Sequence, residues 1–258
     1  DTFRMIGSRE WMNLSLGKLS FKEKAQFIKQ VSVPALLNFG QTFIDKPSTI
    51  STFELKSIDL PDTAITLEAI QALESTESPS IIHHSWRSYI WAVAIAQTKQ
   101  WQFDDESLLI ACLMHDLGLV DHLEQYACQC FSFESALRAE ALCIKHHYPA
   151  NQTENISNAI CLHMNGHLNE KDQTLSKEVL LLQKATSCDV IGTDSQHFSA
   201  EFKQQVLTQY PRLDFNTHFI QLINIESKRN PHSRTALLRQ GGLSRMVQFN
   251  PLKSSIQD

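Results

Sequence analysis

Apolar residues recur at intervals of three and four along most of this chain, and this spacing constrains its fold more than any other feature. From residue 61 onward, such segments follow one another, separated by short polar stretches or by glycine and proline. Alternating or β-branched runs, which indicate strands, are few. Hydrophobic residues make up 42% of the 258 residues and charged residues 20%, a balance typical of a compact protein. The sequence therefore predicts an all-α fold.

Capping residues and helix breakers give approximate helix boundaries. Ser20 and Glu23 match a capping box, which predicts a helix to about residue 31. Further helices are predicted over about residues 65–75, 81–99, 199–209 and 215–229. The other predicted helix starts are Asp104 or Asp105, Ser132, Asn155 and Ser176, and the predicted stops are Gly118 and Gly192.

The two ends of the chain lack a clear helical period. Residues 32–60 carry two prolines, which indicates an irregular segment or a linker. We expect residues 1–60 to form a helical and irregular extension packed on a main domain of residues 61–240. Residues 241–258, with two adjacent glycines and Pro251, are predicted to form an extended tail.

Charge and composition exclude several classes of partner. The net charge of -5 leaves no basic surplus for the phosphates of a nucleic acid polymer. No apolar run approaches the length of a membrane span, and residues 1–30 lack a signal-peptide pattern. The six cysteines include no C-x-x-C pair, so we expect buried, reduced thiols. A soluble, cytoplasmic protein with a small-molecule substrate is expected, and a homo-oligomer is compatible with the sequence.

Several histidine and aspartate residues lie at the ends of apolar segments, and one aspartate lies inside such a segment. His84 begins one predicted helix, "LLIACLM" is followed directly by His115 and Asp116, and His163 ends another helix. Asp189 lies inside the apolar stretch "VLLLQKATSCDVIG", where an ionised carboxylate needs a cation or hydrogen bonds. Histidine with carboxylate suits zinc, iron or manganese better than calcium or magnesium. Alternatively, each group could be an ordinary helix-end or core residue.

The order of these residues resembles that of the HD-domain superfamily, an all-helical metalloprotein fold. "HHSWRSY", "CLMHDLG" and "ATSCDVIG" match its successive ligand motifs. More of the chain is similar to one branch, the cyanamide hydratase family, through "HSWRSY", "FSFESALRAEA", "AICLHMN", "YPRLDF" and "IESKRNPHSRT". The likeness covers roughly residues 62–238. Asn165 departs from it, because the family pattern has aspartate there, and so does "ESALRAE", which lacks the usual glycine.

The resemblance implies an HD-domain helical bundle holding one divalent transition metal. Its ligands would be His84, His115, Asp116 and Asp189, with zinc the first choice and iron or manganese the alternatives. Water activated by the metal would add to the nitrile carbon of cyanamide or a similar small molecule and give urea. The catalytic acid or base is predicted to be His163, or failing that Glu134. The predicted substrate-binding residues near the metal are Thr186, Asn165 and Arg87.

Three alternatives to this hydratase remain open. An HD phosphohydrolase acting on a nucleotide or another phosphomonoester would use the same metal ligands, with Arg87 and Lys145 holding phosphate. A dinuclear iron enzyme would take further ligands from His146, His147 and His163. A binding or regulatory protein would use the metal structurally, although structural sites are more often closed by cysteine and histidine.

Overall fold

Helices dominate the computed structural model, which describes residues 5–44 and 53–252. No strand occurs in these two ranges, so the predicted all-α fold is confirmed. The helices, in chain order, are α1 (Arg9–Ser15), α2 (Phe21–Phe27), α3 (Val33–Gln41), α4 (Ala64–Glu74), α5 (Pro79–Lys99), α6 (Asp105–Met114), α7 (Leu117–Val120), α8 (Phe131–Lys145), α9 (Ala150–Leu162), α10 (Lys177–Ile191), α11 (Ala200–Gln209), α12 (Phe215–Arg229), α13 (Arg234–Gln240) and α14 (Leu243–Gln248).

The centre of the fold is a group of four helices, α5, α6, α9 and α10. α10 packs against α5 and α9, and α6 packs against both α5 and α9. Apolar residues surround α6 and α10, so almost every side chain of these two helices is buried. Polar groups on these helices therefore lie in the interior, where they need charged or hydrogen-bonding partners.

Several predicted helix ends are confirmed by their capping contacts. The Ser20 hydroxyl accepts from the Glu23 amide, and the Glu23 carboxylate accepts from the Ser20 amide. Asp104 caps α6 by accepting from the Ser107 amide, and Ser176 caps α10 by accepting from the Val179 amide. Gly192 ends α10 with φ +84°, a conformation that disfavours other residues.

Three predicted boundaries inside the main body are wrong. α8 begins at Phe131, one residue before the predicted start Ser132. α9 begins after Pro149, and Asn155 lies inside it, where its amide donates to Glu178 instead of capping. α6 ends at Met114 rather than at Gly118. Gly118 lies in α7, where a side chain would meet the Phe131 carbonyl oxygen 2.5 Å away.

The end segments contain more helix than predicted. A π-helix, Ile28–Ser32, continues α2 directly into α3, and Pro34 lies in the first turn of α3 without ending this run. The rest of the predicted irregular segment lies partly outside the described residues. The expected extended tail contains α14, and its last residues, 253–258, are also outside the described ranges. Every helix in the described ranges is too short or too polar to cross a bilayer.

Candidate metal centre

Three of the four predicted ligands meet in the buried centre of the fold. His84 lies on α5, His115 is the C-cap of α6, and Asp116 follows it. The apolar residues of α6 are fully buried or nearly so, which holds the end of this helix in the interior. All three polar side chains are at most 3% exposed. The helix packing therefore forces the two histidines and the carboxylate into one small volume.

The inward-facing atoms of this cluster are close together. The Nε2 atoms of His84 and His115 are 3.1 Å apart. Asp116 Oδ2 lies 3.5 Å from His84 Nε2 and 3.3 Å from His115 Nε2. On the other side of the carboxylate, His163 Nε2 is 3.6 Å from Asp116 Oδ1. Four side chains from α5, the end of α6 and the turn after α9 thus direct nitrogen and oxygen atoms at the same space.

Hydrogen bonds on the outer edge of each ring determine the tautomers of these histidines. His84 Nδ1 is 2.7 Å from Asp189 Oδ2, His115 Nδ1 is 2.7 Å from the Cys112 carbonyl, and His163 Nδ1 is 2.6 Å from the Ile160 carbonyl. Carbonyl and ionised carboxylate oxygens only accept, so each Nδ1 carries a proton. In the neutral rings, each Nε2 then presents a lone pair to the cluster.

This arrangement fits a bound cation. Two nitrogen lone pairs 3.1 Å apart repel each other unless a positive charge lies between them. Asp116 Oδ2 is also buried with no hydrogen-bond partner among the described residues, a costly state for a carboxylate oxygen. His84, His115 and Asp116 are grouped closely enough to share one ion. Imidazole nitrogen with carboxylate oxygen is a donor set that suits a divalent transition metal.

Asp189 does not contribute an atom to this cluster, although it was expected as the fourth ligand. Its Oδ1 accepts from Arg87 Nε at 2.8 Å and from Trp91 Nε1 at 2.9 Å. Its Oδ2 accepts from Arg87 Nη2 and from His84 Nδ1. Arg212 lies 3.4 Å from Oδ1. The two buried guanidinium groups hold the Asp189 carboxylate beside the outer nitrogen of His84, away from the three grouped atoms.

The charges of the centre shift the pKa values of its members in different directions. Burial raises the pKa of Asp116, but the charge of the neighbouring His115 and the proximity of His163 and His84 outweigh it and hold that pKa well below its ordinary value. Burial lowers the pKa of His115, but the Asp116 carboxylate reverses this and raises it overall. For His163, burial dominates and the pKa falls to about 4. His163 is therefore a neutral base at pH 7 in the metal-free protein.

A small apolar cavity lies against the metal-binding atoms. Its volume is about 60 Å³, enough for a molecule of a few non-hydrogen atoms. Its walls come from several elements and include no lysine or arginine among the described residues. They consist of Ala35, His84, His115, Asp116, His163, Met164, Gly166, Thr186, Ser187, Val190, Ile191, Phe219, Leu238, Leu243 and Met246.

The predicted residues divide into those that reach this cavity and those that do not. His163 and Thr186 line it, although the Thr186 hydroxyl donates to carbonyl oxygens of its own helix. The Glu134 carboxylate accepts from His122 Nδ1 and the Leu123 amide, outside the cavity wall.

Two further predicted binding residues are also occupied elsewhere. Asn165 accepts from Arg234 and donates to the Ile6 carbonyl, and it does not line the cavity. Arg87 pairs with Asp189 and donates to the carbonyls of Tyr210 and Pro211. Neither Asn165 nor Arg87 therefore belongs to the cavity wall.

The centre does not include three residues considered for phosphate or a second iron, Lys145, His146 and His147, whereas His163, also considered for a second iron, lies within it. Lys145 and His146 both pair with Glu68 on α4, and His147 is exposed. The fold also brings in residues from far along the chain for which no role was predicted. Trp91 and Arg212 support Asp189, and the only sequence signal for Arg212 was the motif "YPRLDF". Ala35 in the cavity wall had no signal at all.

Comparison with known proteins agrees with this geometry. The family model described as "HD domain" matches residues 81–190, which include His84, His115, Asp116, His163 and Asp189. Two relatives from Saccharomyces cerevisiae, cyanamide hydratase DDI2 and cyanamide hydratase DDI3, are each 26% identical over 162 residues. The matched part is 61% of this chain and 70% of each relative. The region similar to the HD domain, residues 81–190, is thus all-helical between its turns and carries the buried histidine–aspartate cluster.

Proposed function

We propose that this protein is a metal-dependent hydratase that adds water to the nitrile carbon of cyanamide or a similar small molecule, giving urea from cyanamide. The observation that carries the proposal is the convergence of imidazole lone pairs and the Asp116 carboxylate beside a small, apolar cavity whose described wall contains no lysine or arginine. The names of the two yeast relatives support cyanamide as the first substrate to test. The metal is proposed to be zinc, with iron or manganese as alternatives.

His84, His115 and Asp116 would hold the metal, and His163 Nε2 faces the same space from the side of Asp116 Oδ1. A bound divalent ion would supply Lewis acidity that lowers the pKa of water from about 16 to about 7. The Asp189 carboxylate and the Cys112 carbonyl keep the Nδ1 protons of His84 and His115 in place, so both Nε2 atoms stay available.

His163 is the proposed proton carrier. Its Nδ1 is fixed by the Ile160 carbonyl, and its low pKa leaves Nε2 unprotonated at pH 7. Nε2 would accept a proton from water as oxygen bonds to the nitrile carbon, and would return that proton to the nitrile nitrogen. The product is isourea, which tautomerises to urea. The apolar walls formed by Val190, Phe219 and Leu243 would limit competing water.

The cavity does not favour the alternative of an HD phosphohydrolase. A phosphate dianion needs cationic or multiple N–H donors, and the described cavity wall offers neither lysine nor arginine. Arg87 is already paired with Asp189, and Lys145 pairs with Glu68 at the surface. A small, neutral substrate fits this space better.

Metal analysis of four purified proteins tests the site directly. We expect the wild type to bind one equivalent of metal, and His115→Ala and Asp116→Ala to lose it, since each removes an atom of the buried cluster. His146→Ala is the matched control, because this histidine contacts Glu68 and not the cluster. Full metal retention in both cluster variants would contradict the ligand assignment.

Two assays of the metal-loaded wild type then separate the candidate activities. We expect urea from cyanamide and no phosphate from nucleoside monophosphates. Phosphate release without urea would favour the phosphohydrolase. A protein that binds metal tightly but turns over neither substrate would point to a regulatory role or to a different small substrate.

A further inference from the structure

A second, polar pocket adjoins the apolar cavity at two shared residues. It has a volume of about 430 Å³ and is lined by residues from α3, α10 and the segments after His163 and Gly192, including Asn38, Gln41, His167, Gln183 and Lys184. Gly166 and Ser187 belong to the walls of both spaces. A molecule that reaches the metal centre through the polar pocket must pass these two residues.

Gly166 keeps this junction open on one side. Its φ is +66°, and a Cβ added there would lie 3.3 Å from the Cβ of Ala35 on α3. A larger side chain would therefore be strained and would crowd the wall of the cavity. Ser187, 9% exposed, is the other residue that both walls share.

The hydroxyl of Ser187 differs from that of its neighbour Thr186. The Thr186 hydroxyl donates back to the carbonyls of Leu182 and Gln183, so its proton is already used. Ser187 Oγ instead accepts from Gln183 Nε2 at 3.0 Å. In the part of the chain that the structure describes, no acceptor takes the Ser187 proton. Ser187 thus retains a free donor beside an almost wholly apolar space.

We propose that Ser187 is a substrate-positioning residue at the inner end of an access route through the polar pocket. Its O–H donates to the acceptor atom of a small neutral substrate, such as a nitrile nitrogen, while Gln183 holds its oxygen. This role rests on the proposed hydratase function, whereas the access route does not. A single donor at the entrance orients a linear polar molecule so that one end faces the metal-binding atoms.

Kinetics of Ser187 and Gln183 variants test the positioning role. For Ser187→Ala we expect kcat/KM for cyanamide to fall about 3- to 10-fold, the usual effect of losing one neutral hydrogen bond, with unchanged metal content. The loss should appear mainly as a higher KM if the hydrogen bond is equally strong in the ground state and in the transition state. It should appear mainly as a lower kcat if the bond is stronger in the transition state. Thr186→Val, which removes a hydroxyl that serves its own helix, should have the smaller effect.

Gln183→Glu separates positioning from packing. This change keeps the shape of the side chain but replaces the donor with an acceptor, which draws the Ser187 proton away from the cavity. We expect a loss similar to that of Ser187→Ala, and no additional loss when the two changes are combined. Additive losses, or wild-type kcat/KM in Ser187→Ala, would overturn the positioning role.

Chemical labelling tests the route without relying on any enzymatic activity. In Ser187→Cys, the new thiol should react with methyl methanethiosulfonate, while the six native cysteines, all buried, should react far more slowly. Gln41→Trp, which places a large ring in the polar pocket, should slow labelling at least 5-fold. Unchanged labelling would overturn the route even if urea is formed. Slowed labelling in a protein that forms no urea would keep the route and reject the hydratase.

Discussion

Asp189 illustrates how a single buried carboxylate can organise the side chains around a site. Burial raises its pKa, but Arg87 and Arg212 outweigh this effect and hold the pKa well below its ordinary value. The charge is shared among two guanidinium groups, the Trp91 N–H and the outer nitrogen of His84. Removing any one partner would leave a buried charge or donor uncompensated, so the network stabilises the fold only when all of its members are present.

Asp189→Asn tests the role of this carboxylate at the residue scale. Removing the charge leaves two buried guanidinium groups uncompensated, which typically costs about 3–5 kcal/mol and lowers Tm by about 6–15 °C in a chain of this size. Metal affinity should fall about 10- to 100-fold, as for partners that orient a ligand, rather than disappear. Calorimetry and metal titration below the Tm of the variant measure both effects.

Asp121→Asn is the matched control for this experiment. Asp121 is 52% exposed and pairs with Arg138, so its change should alter Tm and metal affinity very little. Complete loss of metal from folded Asp189→Asn would contradict the assigned role and make Asp189 a ligand.

At the scale of elements, α3 is the part of the N-terminal segment that completes the cavity. It lies outside the region matched by the HD domain model, yet Ala35 forms part of the cavity wall. Asn38, one turn further on, contacts His167 at 3.0 Å and links α3 to the turn that carries His163. The cavity is thus bounded partly by an element that precedes the matched region in sequence.

Ala35→Leu tests whether α3 defines the size of the cavity. Three additional carbon atoms would occupy much of a space of about 60 Å³, and overpacking would cost about 1–3 kcal/mol. We expect kcat/KM for cyanamide to fall at least 10-fold while metal content stays the same. Leu36→Ala, at a neighbouring position that is 53% exposed, should remain within about 2-fold of wild type. Equal activities of Ala35→Leu and wild type would show that α3 does not bound the substrate space.

At the scale of the whole molecule, burying several histidines makes the stability of the metal-free protein depend on pH. Burial is the largest cause that lowers the pKa of His163, and the neighbouring charge of His115 acts in the same direction. Its pKa of about 4 lies below the ordinary 6.5, so the unfolded chain binds more protons between these values. The contribution of His163 to the free energy of unfolding is therefore fully present above pH 6.5 and is lost as the pH falls towards 4.

Thermal unfolding of the chelated protein from pH 7 to pH 4 tests this dependence. We expect Tm to fall across the range, with His163 accounting for up to about 3 kcal/mol of the lost free energy of unfolding. The raised pKa of His115 opposes part of this loss, because a raised histidine pKa favours the folded state at low pH. His163→Gln should flatten the profile. A profile as steep as that of the wild type would assign the pH dependence to other groups.

Local patterns predicted much of the fold but not the roles of all site residues. The capping sequences of α2, α6 and α10 needed only neighbouring residues, so their helix starts were predictable. The start of α9 was missed because Asn155 contacts Glu178 on another helix instead of its own backbone. Thr186 was predicted to bind substrate. Only the hydrogen bonds of the folded helix distinguish its hydroxyl, which donates to its own backbone, from that of Ser187, which accepts from Gln183.

The sequence by itself determined the all-α class and indicated a histidine–aspartate centre, because helical spacing and the position of histidine and aspartate beside apolar segments are local properties of the chain. Only the tertiary structure decided which ring nitrogen of His84 contacts Asp189 and which contacts His115. Those contacts join residues 105 and 31 positions apart and depend on the packing of α5, α6 and α10. Tertiary packing also brought Ala35, Ser187 and Met246 to one cavity, since the distance between residues in space is set by how the helices assemble.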